Sequence, residues 1–390
     1  MTNRILELSE KFDKSLILNP TENLPWKCNV DLSFTEGLYI PEDTRDKDSK
    51  VCFAGRNDLR DTMTGLYANW ESALDAKASS FKLYSGLHAH IILFMSIANI
   101  GDKVLLLPEN AGGHYASAKI LKRLGLEIKE CVIDKEQHCI DIMKTRILIE
   151  QWKPKFIFID RSDGLVYEDF SWLGEYNNSY KIFDASQYLT HILARDYKNP
   201  FNMGMDLILT TLHKNYPGPQ KAAFFSKECN ETWTHIENGL ASYVSNSHPM
   251  EIFKAVLSLP NQDILQRYSK TIIHNTLKLE AALVKNGIPV IKRNLEQNPT
   301  QQIWIPITNE EVGYNFFKRL ERLMLLTNYR MLPYDLGRGL RLGTAAATRQ
   351  GLKPDGATAI GKLIAEAYYT KELTPNFIKR AENIIREIKK

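Results

Sequence analysis

The chemistry in this chain starts at one lysine. Lys214 lies in the stretch Thr210-Thr211-Leu212-His213-Lys214-Asn215-Tyr216-Pro217-Gly218-Pro219-Gln220, directly after the apolar run Asp206-Leu207-Ile208-Leu209. That run has the length and branching of a buried strand, and the Pro-Gly-Pro turn restrains the backbone beyond it. A lysine held at such a strand end loses solvation, so its pKa falls and its free amine can attack a carbonyl. The opposing reading is a solvated surface lysine, as most lysines are.

Partners for such a lysine occur elsewhere. Asp184, in Phe183-Asp184-Ala185-Ser186-Gln187, ends another strand-like run thirty positions earlier. A carboxylate at the C-terminal edge of a sheet can hold a proton on a heteroaromatic nitrogen, or can simply cap the next turn. Ser85-Gly86-Leu87-His88 precedes an apolar helix, and a hydroxyl with free N–H groups at a helix start makes either a phosphate site or an ordinary cap. The glycines of Ala111-Gly112-Gly113-His114 turn the chain tightly after a strand. They bring an imidazole that could stack on a flat ring or serve only structure. Arg341, in Gly337-Arg338-Gly339-Leu340-Arg341-Leu342-Gly343-Thr344, has an apolar setting that suits a carboxylate grip or a buried salt bridge.

These residues need a scaffold. Strand-like runs at 104–108, 127–133, 156–160, 181–184, 206–210 and 222–226 alternate with helical patterns, among them 59–76, 89–100 and 116–124. That alternation predicts a mostly parallel sheet wrapped by helices. Beyond about residue 260 the pattern changes to helices at 263–286, 310–326, 353–370 and 375–389, with strands at 288–291 and 302–306. The expected organisation is an N-terminal arm and active-site segment over 1–60, a large domain over 61–260 and a smaller α+β domain over 261–390.

Composition narrows the function classes. The 390 residues carry a formal net charge of only +4, with 25% charged and 44% hydrophobic residues, so a nucleic-acid stripe is not expected. No run is long and apolar enough for a membrane span, and the charged N-terminus does not read as a secretory signal. The five cysteines are scattered. They predict neither a zinc site nor a disulfide framework, and fit a reducing cytoplasm without a metal.

Taken in order, Thr21-Glu22-Asn23, Ser85-Gly86, Gly112-Gly113-His114, Asp184, His213-Lys214 and Arg341-Leu342-Gly343-Thr344 resemble the serine hydroxymethyltransferases and their relatives in the aspartate aminotransferase superfamily. The resemblance spans about Leu18 to Tyr369. It implies a fold-type I α/β transferase that depends on pyridoxal 5'-phosphate, with a mostly parallel large domain and a smaller α+β domain. By that likeness Lys214 would bind the cofactor covalently, Asp184 would pair with its ring nitrogen and His114 would stack on the ring. Ser85, Gly86 and the neighbouring Leu87 would hold the phosphate, with His213 and Gln187 beside the ring. Ser245 and its loop through His248 would help hold the phosphate by reaching a partner subunit's site, which implies a homodimer with shared sites. On the substrate side Arg341 would grip an amino acid carboxylate, Thr21 and Glu22 would contact the substrate, Phe34 would take a position where a tyrosine is usual, and Glu36 would be the acid/base carboxylate.

The departures from the family pattern carry information too. Gln187 stands where a histidine usually follows the aspartate, and residues 40–50 lengthen the segment between Phe34 and Phe53. Between Asn328 and Arg341 the chain is shorter than in folate-using members, which points away from folate. The run from His213 to Lys221 resembles instead the folate-independent branch that includes the L-threonine transaldolases. The expected activity is aldol or retro-aldol transfer at the Cα of a glycine-, serine- or threonine-like amino acid. An aminotransferase, racemase or β-eliminating lyase on the same scaffold is the alternative.

Overall fold

The structure is a computed structural model that describes residues 2–39, 53–245, 248–294 and 296–390. Its central sheet, seven-stranded among the described residues, comprises β1 (Ala78–Leu83), β2 (Lys103–Leu106), β3 (Glu127–Glu130), β4 (Phe156–Ile159), β5 (Tyr180–Asp184), β6 (Leu207–Thr211) and β7 (Ala222–Ser226). They lie in the order β1-β7-β6-β5-β4-β2-β3. Within this sheet β7 runs antiparallel to both neighbours, and the remaining pairs are parallel.

Apart from the exposed edge strand β3, whose sequence is Glu127-Ile128-Lys129-Glu130, both faces of the sheet are buried, which is why most of its strands are apolar at successive positions rather than alternating with polar ones. Phe81, Ile157, Phe183 and Ile208 enter one core, and their neighbours Leu83, Phe158, Ile182 and Leu209 enter the other. The exposed helix α1 (Thr2–Lys14) lies apart from the sheet, and the covering helices include α2 (Asn57–Leu74), α3 (Gly86–Ile97), α4 (Ser117–Arg123), α5 (Ile142–Trp152), α6 (Glu231–Tyr243) and α7 (Pro249–Val256). The strand β1 has no counterpart in the sequence expectation, because Ser79, Ser80 and Lys82 break its apolar pattern although all three are buried.

A second layer follows. Helix α8 (Gln262–Lys285) leads to an antiparallel sheet of β8 (Gln302–Pro306), β9 (Asn328–Met331) and β10 (Arg338–Gly343), ordered β8-β10-β9, with α9 (Glu310–Arg322), α10 (Pro354–Tyr369) and α11 (Pro375–Ile388) around it. A Cβ at Gly361 would lie 2.6 Å from the Ala282 Cβ, so the α8–α10 contact requires glycine there.

Two expectations fail in this layer. Residues 288–291 form no strand. A lone backbone bond, Ile291 N to Trp304 O at 3.0 Å, links them to β8 before Arg293 turns inward to Glu280 and to the carbonyls of Leu165, Thr300 and Gln302. The helix expected over 310–326 stops at Arg322, because Leu325 and Leu326 pair in parallel with Leu16 and Ile17. Through that pairing Leu16 and Leu18 join the core formed by α8 to α11.

Candidate active site

The chemistry-bearing residues collect where β4, β5 and β6 end. Asp184 is the last residue of β5 and is 7% exposed. Its Oδ1 accepts from Ser186 N at 2.8 Å, and its Oδ2 lies 3.1 Å from Nε2 of the buried His90 on α3. Burial opposes ionisation of Asp184, but the hydrogen bond and charge of His90, the charge of Lys214 and the contact with Ser186 outweigh it and hold the carboxyl at about 2. His90 continues on its other side, Nδ1 to Ser117 Oγ at 3.3 Å.

Lys214 follows β6 and is partly buried. Burial lowers its pKa, Asp184 and Asp163 oppose that shift, and Arg341 reinforces it. The loop is fixed less by its prolines than by Asn215. This fully buried side chain accepts from Thr190 N at 2.9 Å and its Nδ2 meets His191 Nε2 at 3.2 Å, while the Asn215 carbonyl accepts from Thr190 Oγ1 at 2.8 Å. Tyr216 is sunk between Trp26 and Trp70, with ring centroids 5.4 Å away in each case. A Cβ on Gly218 would meet Leu212 O at 2.7 Å, so the tight turn back onto the strand end needs the glycine.

Ser85 is the N-cap of α3, its Oγ accepting from His88 N at 3.2 Å, so the capping reading is realised. Gly86 begins that helix where a Cβ would come 2.8 Å from Thr211 Cγ2, which seats the helix start against the end of β6. Leu87 beside it has 38% of its surface accessible.

The paired glycines serve close approach. A Cβ on Gly112, whose φ is +90°, would strike Asp163 O at 2.1 Å, and one on Gly113 would strike Leu107 O at 2.3 Å. The loops after β2 and β4 therefore press together, with Gly112 O accepting from Ser162 N at 2.7 Å and Asp163 N at 3.0 Å. This brings His114 beside Asp160. His114 N donates to Asp160 Oδ2 at 3.2 Å, and its ring stands edge-on to His90 with centroids 5.1 Å apart. Burial, followed by the charges of His90 and Lys214, pushes the His114 imidazole down to about 3, so it is neutral at ordinary pH. Burial likewise lowers His213 to about 4, and its Nδ1 is buried without a hydrogen-bond partner.

Arg341, 1% exposed, comes from β10 and forms a buried ion pair with Asp163. The salt bridge anticipated as the competing reading thus exists, and its partner is a residue the sequence pattern did not flag. Arg341 Nε remains buried without a partner.

The N-terminal segment closes one side. Trp26 N donates to Pro217 O at 2.9 Å, Asn23 Nδ2 to Asn215 O at 3.2 Å and Gln187 Nε2 to Pro20 O at 3.3 Å. Thr21 and Glu22 are bonded to Asn19, Thr21 Oγ1 to Asn19 Oδ1 and Asn19 Nδ2 to Glu22 Oε1, each at 2.8 Å. Glu36 and Phe34 are not brought to Lys214. They stand exposed at a 3-10 turn over Ser33–Thr35, Phe34 with 62% of its surface accessible. Ser245 and His248 meet this chain's own Tyr84, His248 Nδ1 lying 2.8 Å from its hydroxyl, while Asn246, Ser247 and the segment 40–50 lie outside the described residues.

Comparison with known proteins now bears on this arrangement. The family model described as serine hydroxymethyltransferase matches residues 70–364, three quarters of the chain. The chain belongs to the serine hydroxymethyltransferase family. The family member from Metallosphaera sedula is 28% identical over 367 residues, covering 90% of this chain and 85% of that protein, and the one from Saccharolobus solfataricus is 28% identical over 311 residues, covering 76% and 72%. In structure the chain is similar to the L-threonine transaldolase from Pseudomonas fluorescens, solved in its internal aldimine state, with a TM-score of 0.88 at 19% identity over 99% of this chain and 91% of that one. The fold is the fold-type I architecture, and the chain is a pyridoxal-phosphate-dependent transferase.

The residues present fit that cofactor. A desolvated lysine, a buried ionised carboxylate, a neutral imidazole and a capped helix start converge at one strand edge, and His213 Nδ1 and Arg341 Nε are left as buried polar atoms without partners. Bonds missed from sequence explain the fit. His90 looks like an ordinary apolar-helix residue, Asp163 and Asp160 like loop polar residues, and Asn215 like part of the turn. A second polar residue near each glycine pair or lysine loop is the signal that could have marked them.

Proposed function

We propose that the chain catalyses aldol or retro-aldol transfer at the Cα of a glycine-, serine- or threonine-like amino acid without folate. The observation that carries this reading is the convergence of Lys214, Asp184, His114 and Arg341 from beyond the ends of β2, β5 and β6 and from β10. Bound pyridoxal phosphate supplies an electron sink for a bond at the substrate's Cα. Lys214, its amine freed by burial, is the residue to hold the cofactor covalently, with Asp184 keeping a proton on its ring nitrogen and His114 against its ring. Ser85, Gly86, Leu87 and the first N–H groups of α3 take the phosphate, and His213 and Gln187 line the same pocket. Arg341 orients the α-carboxylate, which selects the bond to be broken. Thr21 and Glu22 border the substrate.

Glu36 is the candidate base for the β-hydroxyl proton, and Phe34 flanks it. Both are exposed on this chain, so we infer that they serve the site of a second copy, as Ser245 and its loop do. The enzyme is then a homodimer with shared sites, acting in the cytoplasm. Its parts are the arm over 1–60, the cofactor domain over 61–260 and the C-terminal domain over 261–390. Among the described residues no helix is long and apolar enough to cross a membrane. Support for folate independence lies in the connection between β9 and β10. It is a short hairpin closed by Leu332 N to Gly337 O at 2.8 Å, where folate-using members resemble one another in a longer loop.

The deciding experiment incubates the holoenzyme with serine, threonine, or glycine plus an aldehyde, with and without tetrahydrofolate, and identifies products by mass spectrometry. Aldehyde release or exchange without tetrahydrofolate is expected. Strict dependence on tetrahydrofolate, or a keto acid in place of an aldehyde, would overturn the reading.

A further inference from the structure

Asp163 is gripped by two arginines rather than one. Arg341 Nη1 donates to its Oδ1, and Arg330 Nη1 lies 3.3 Å from its Oδ2. The two cations come from adjacent antiparallel strands, with Arg341 opposite Asn328 and Arg330 opposite Gly339. Asp163 and Arg341 have side chains 2% and 1% exposed, whereas the Arg330 side chain is 36% exposed. Arg330 Nε donates to Met331 O at 3.1 Å.

The charge count has a chemical consequence. Arg341 paired with Asp163 is a neutral unit, and a neutral unit balances an incoming carboxylate poorly once water leaves. Arg330 restores a single positive charge to the group. It also lies near the site, since its charge is felt at both the His114 imidazole and the Arg341 guanidinium, while that of Asp163 is felt at Lys214. The unpaired buried Nε of Arg341 is a donor waiting in the same place.

We propose that Arg330 is a second carboxylate-binding residue of the substrate site, and that Arg330, Asp163 and Arg341 form a preset clasp of one net positive charge selecting amino acids with one carboxylate and an uncharged side chain. The inference rests on the reading of the substrate as an amino acid. Asp163 holds the two guanidiniums apart and in register, and a second anionic group on the ligand meets Asp163 with no cation left to balance it.

The test is an equilibrium titration of the holoenzyme, followed by cofactor absorbance, with glycine, glycinamide and L-aspartate. Wild type, Arg330→Met, Arg330→Lys and Asp163→Asn are compared, with cofactor content and the unfolding midpoint recorded for each. Arg330→Met is expected to weaken glycine at least about tenfold, the worth of one charge-assisted hydrogen bond, to leave glycinamide unchanged, and to be largely rescued by Arg330→Lys. Asp163→Asn is expected to reduce discrimination against L-aspartate by about tenfold or more. An Arg330→Met protein that binds glycine like wild type, or loses glycinamide equally, overturns the clasp alone. A wild type that responds to no amino acid overturns the substrate reading and the clasp with it.

Discussion

The strand ends that carry Lys214 and Asp184 and the segment that carries Phe34 and Glu36 belong to one proposed machine, yet they are built in opposite ways. Asp184 is buried and held by two hydrogen bonds, and the Lys214 loop is tied through Asn215 to Thr190 and His191. Around Glu36 the described bonds are local ones, Glu36 N to Ser33 O at 3.0 Å and Thr35 Oγ1 to Leu32 O at 2.7 Å. The strand ends around Lys214 and Asp184 are thus tied down within one chain. The segment of Phe34 and Glu36 is exposed and, on the proposed reading, meets a second copy. On that reading, chemistry common to many reactions lies on the well-bonded half, and the choice among reactions on the half that would depend on assembly.

The largest effect should come from breaking the well-bonded half at its centre. Lys214→Ala should lower turnover on the order of 10⁴-fold or more, because it removes the amine that would hold the cofactor. Borohydride reduction followed by mass spectrometry should show covalent cofactor on wild type and none on the variant. Retained covalent cofactor would remove Lys214 from its role. Asp184→Asn ranks next, at about 10²- to 10³-fold, since it deletes the buried negative charge while keeping the shape. It also presents an amide NH₂ or oxygen to His90 and Ser186, which between them now meet a carboxylate, so cofactor affinity should fall alongside turnover.

How much of this was legible beforehand divides along the same line. The β5 and β6 ends, Lys214, Asp184 and the glycine pair could be read because buried parallel strands leave contiguous apolar runs and because tight loops demand glycine and proline. The strands β1, β9 and β10 could not. Buried Ser79, Ser80 and Lys82 look like surface, and β9 carries Asn328 and Arg330. The counter-ions were equally hidden. Asp163 gains meaning only when the loop after β4 presses on Gly112, and His90 only when α3 is seated against β6, both of which are contacts between distant parts of the chain. Fold followed from local pattern; the electrostatics of the site followed from tertiary contact.

Acid should separate the two halves by stability. His191 is fully buried beneath the Lys214 loop, its Nε2 against Asn215 Nδ2 and its Nδ1 2.8 Å from Ser269 Oγ. Burial pushes it down to about 3 from an ordinary 6.5. The folded chain therefore keeps His191 neutral in a range where the unfolded chain binds a proton, so stability is whole above about pH 6.5 and declines as pH falls toward 3. At about 1.4 kcal/mol per unit, this group alone should cost roughly 2 kcal/mol by pH 5. Urea unfolding from pH 7 to pH 5 should show that slope, and His191→Gln should flatten it while lowering stability at pH 7. A slope unchanged by the substitution would exclude His191 as its source.

The smallest expected loss is the one that decides the comparison. Glu36→Gln should slow turnover by about 10- to 100-fold, as removal of a single general base does, leaving cofactor attachment intact. Loss of rate alone cannot say whose site Glu36 serves, but mixing can. If Glu36 works in the partner's site, a mixed dimer of Lys214→Ala and Glu36→Gln chains contains one site with both residues intact and one with neither. Co-refolding two weakly active proteins should then restore activity well above the mean of the two, approaching a quarter of wild type when half of the dimers are mixed. If Glu36 works within its own chain, every site in every mixture carries one lesion and no activity returns. The same outcome would follow if the chain stayed monomeric, so sedimentation of the mixture separates those cases.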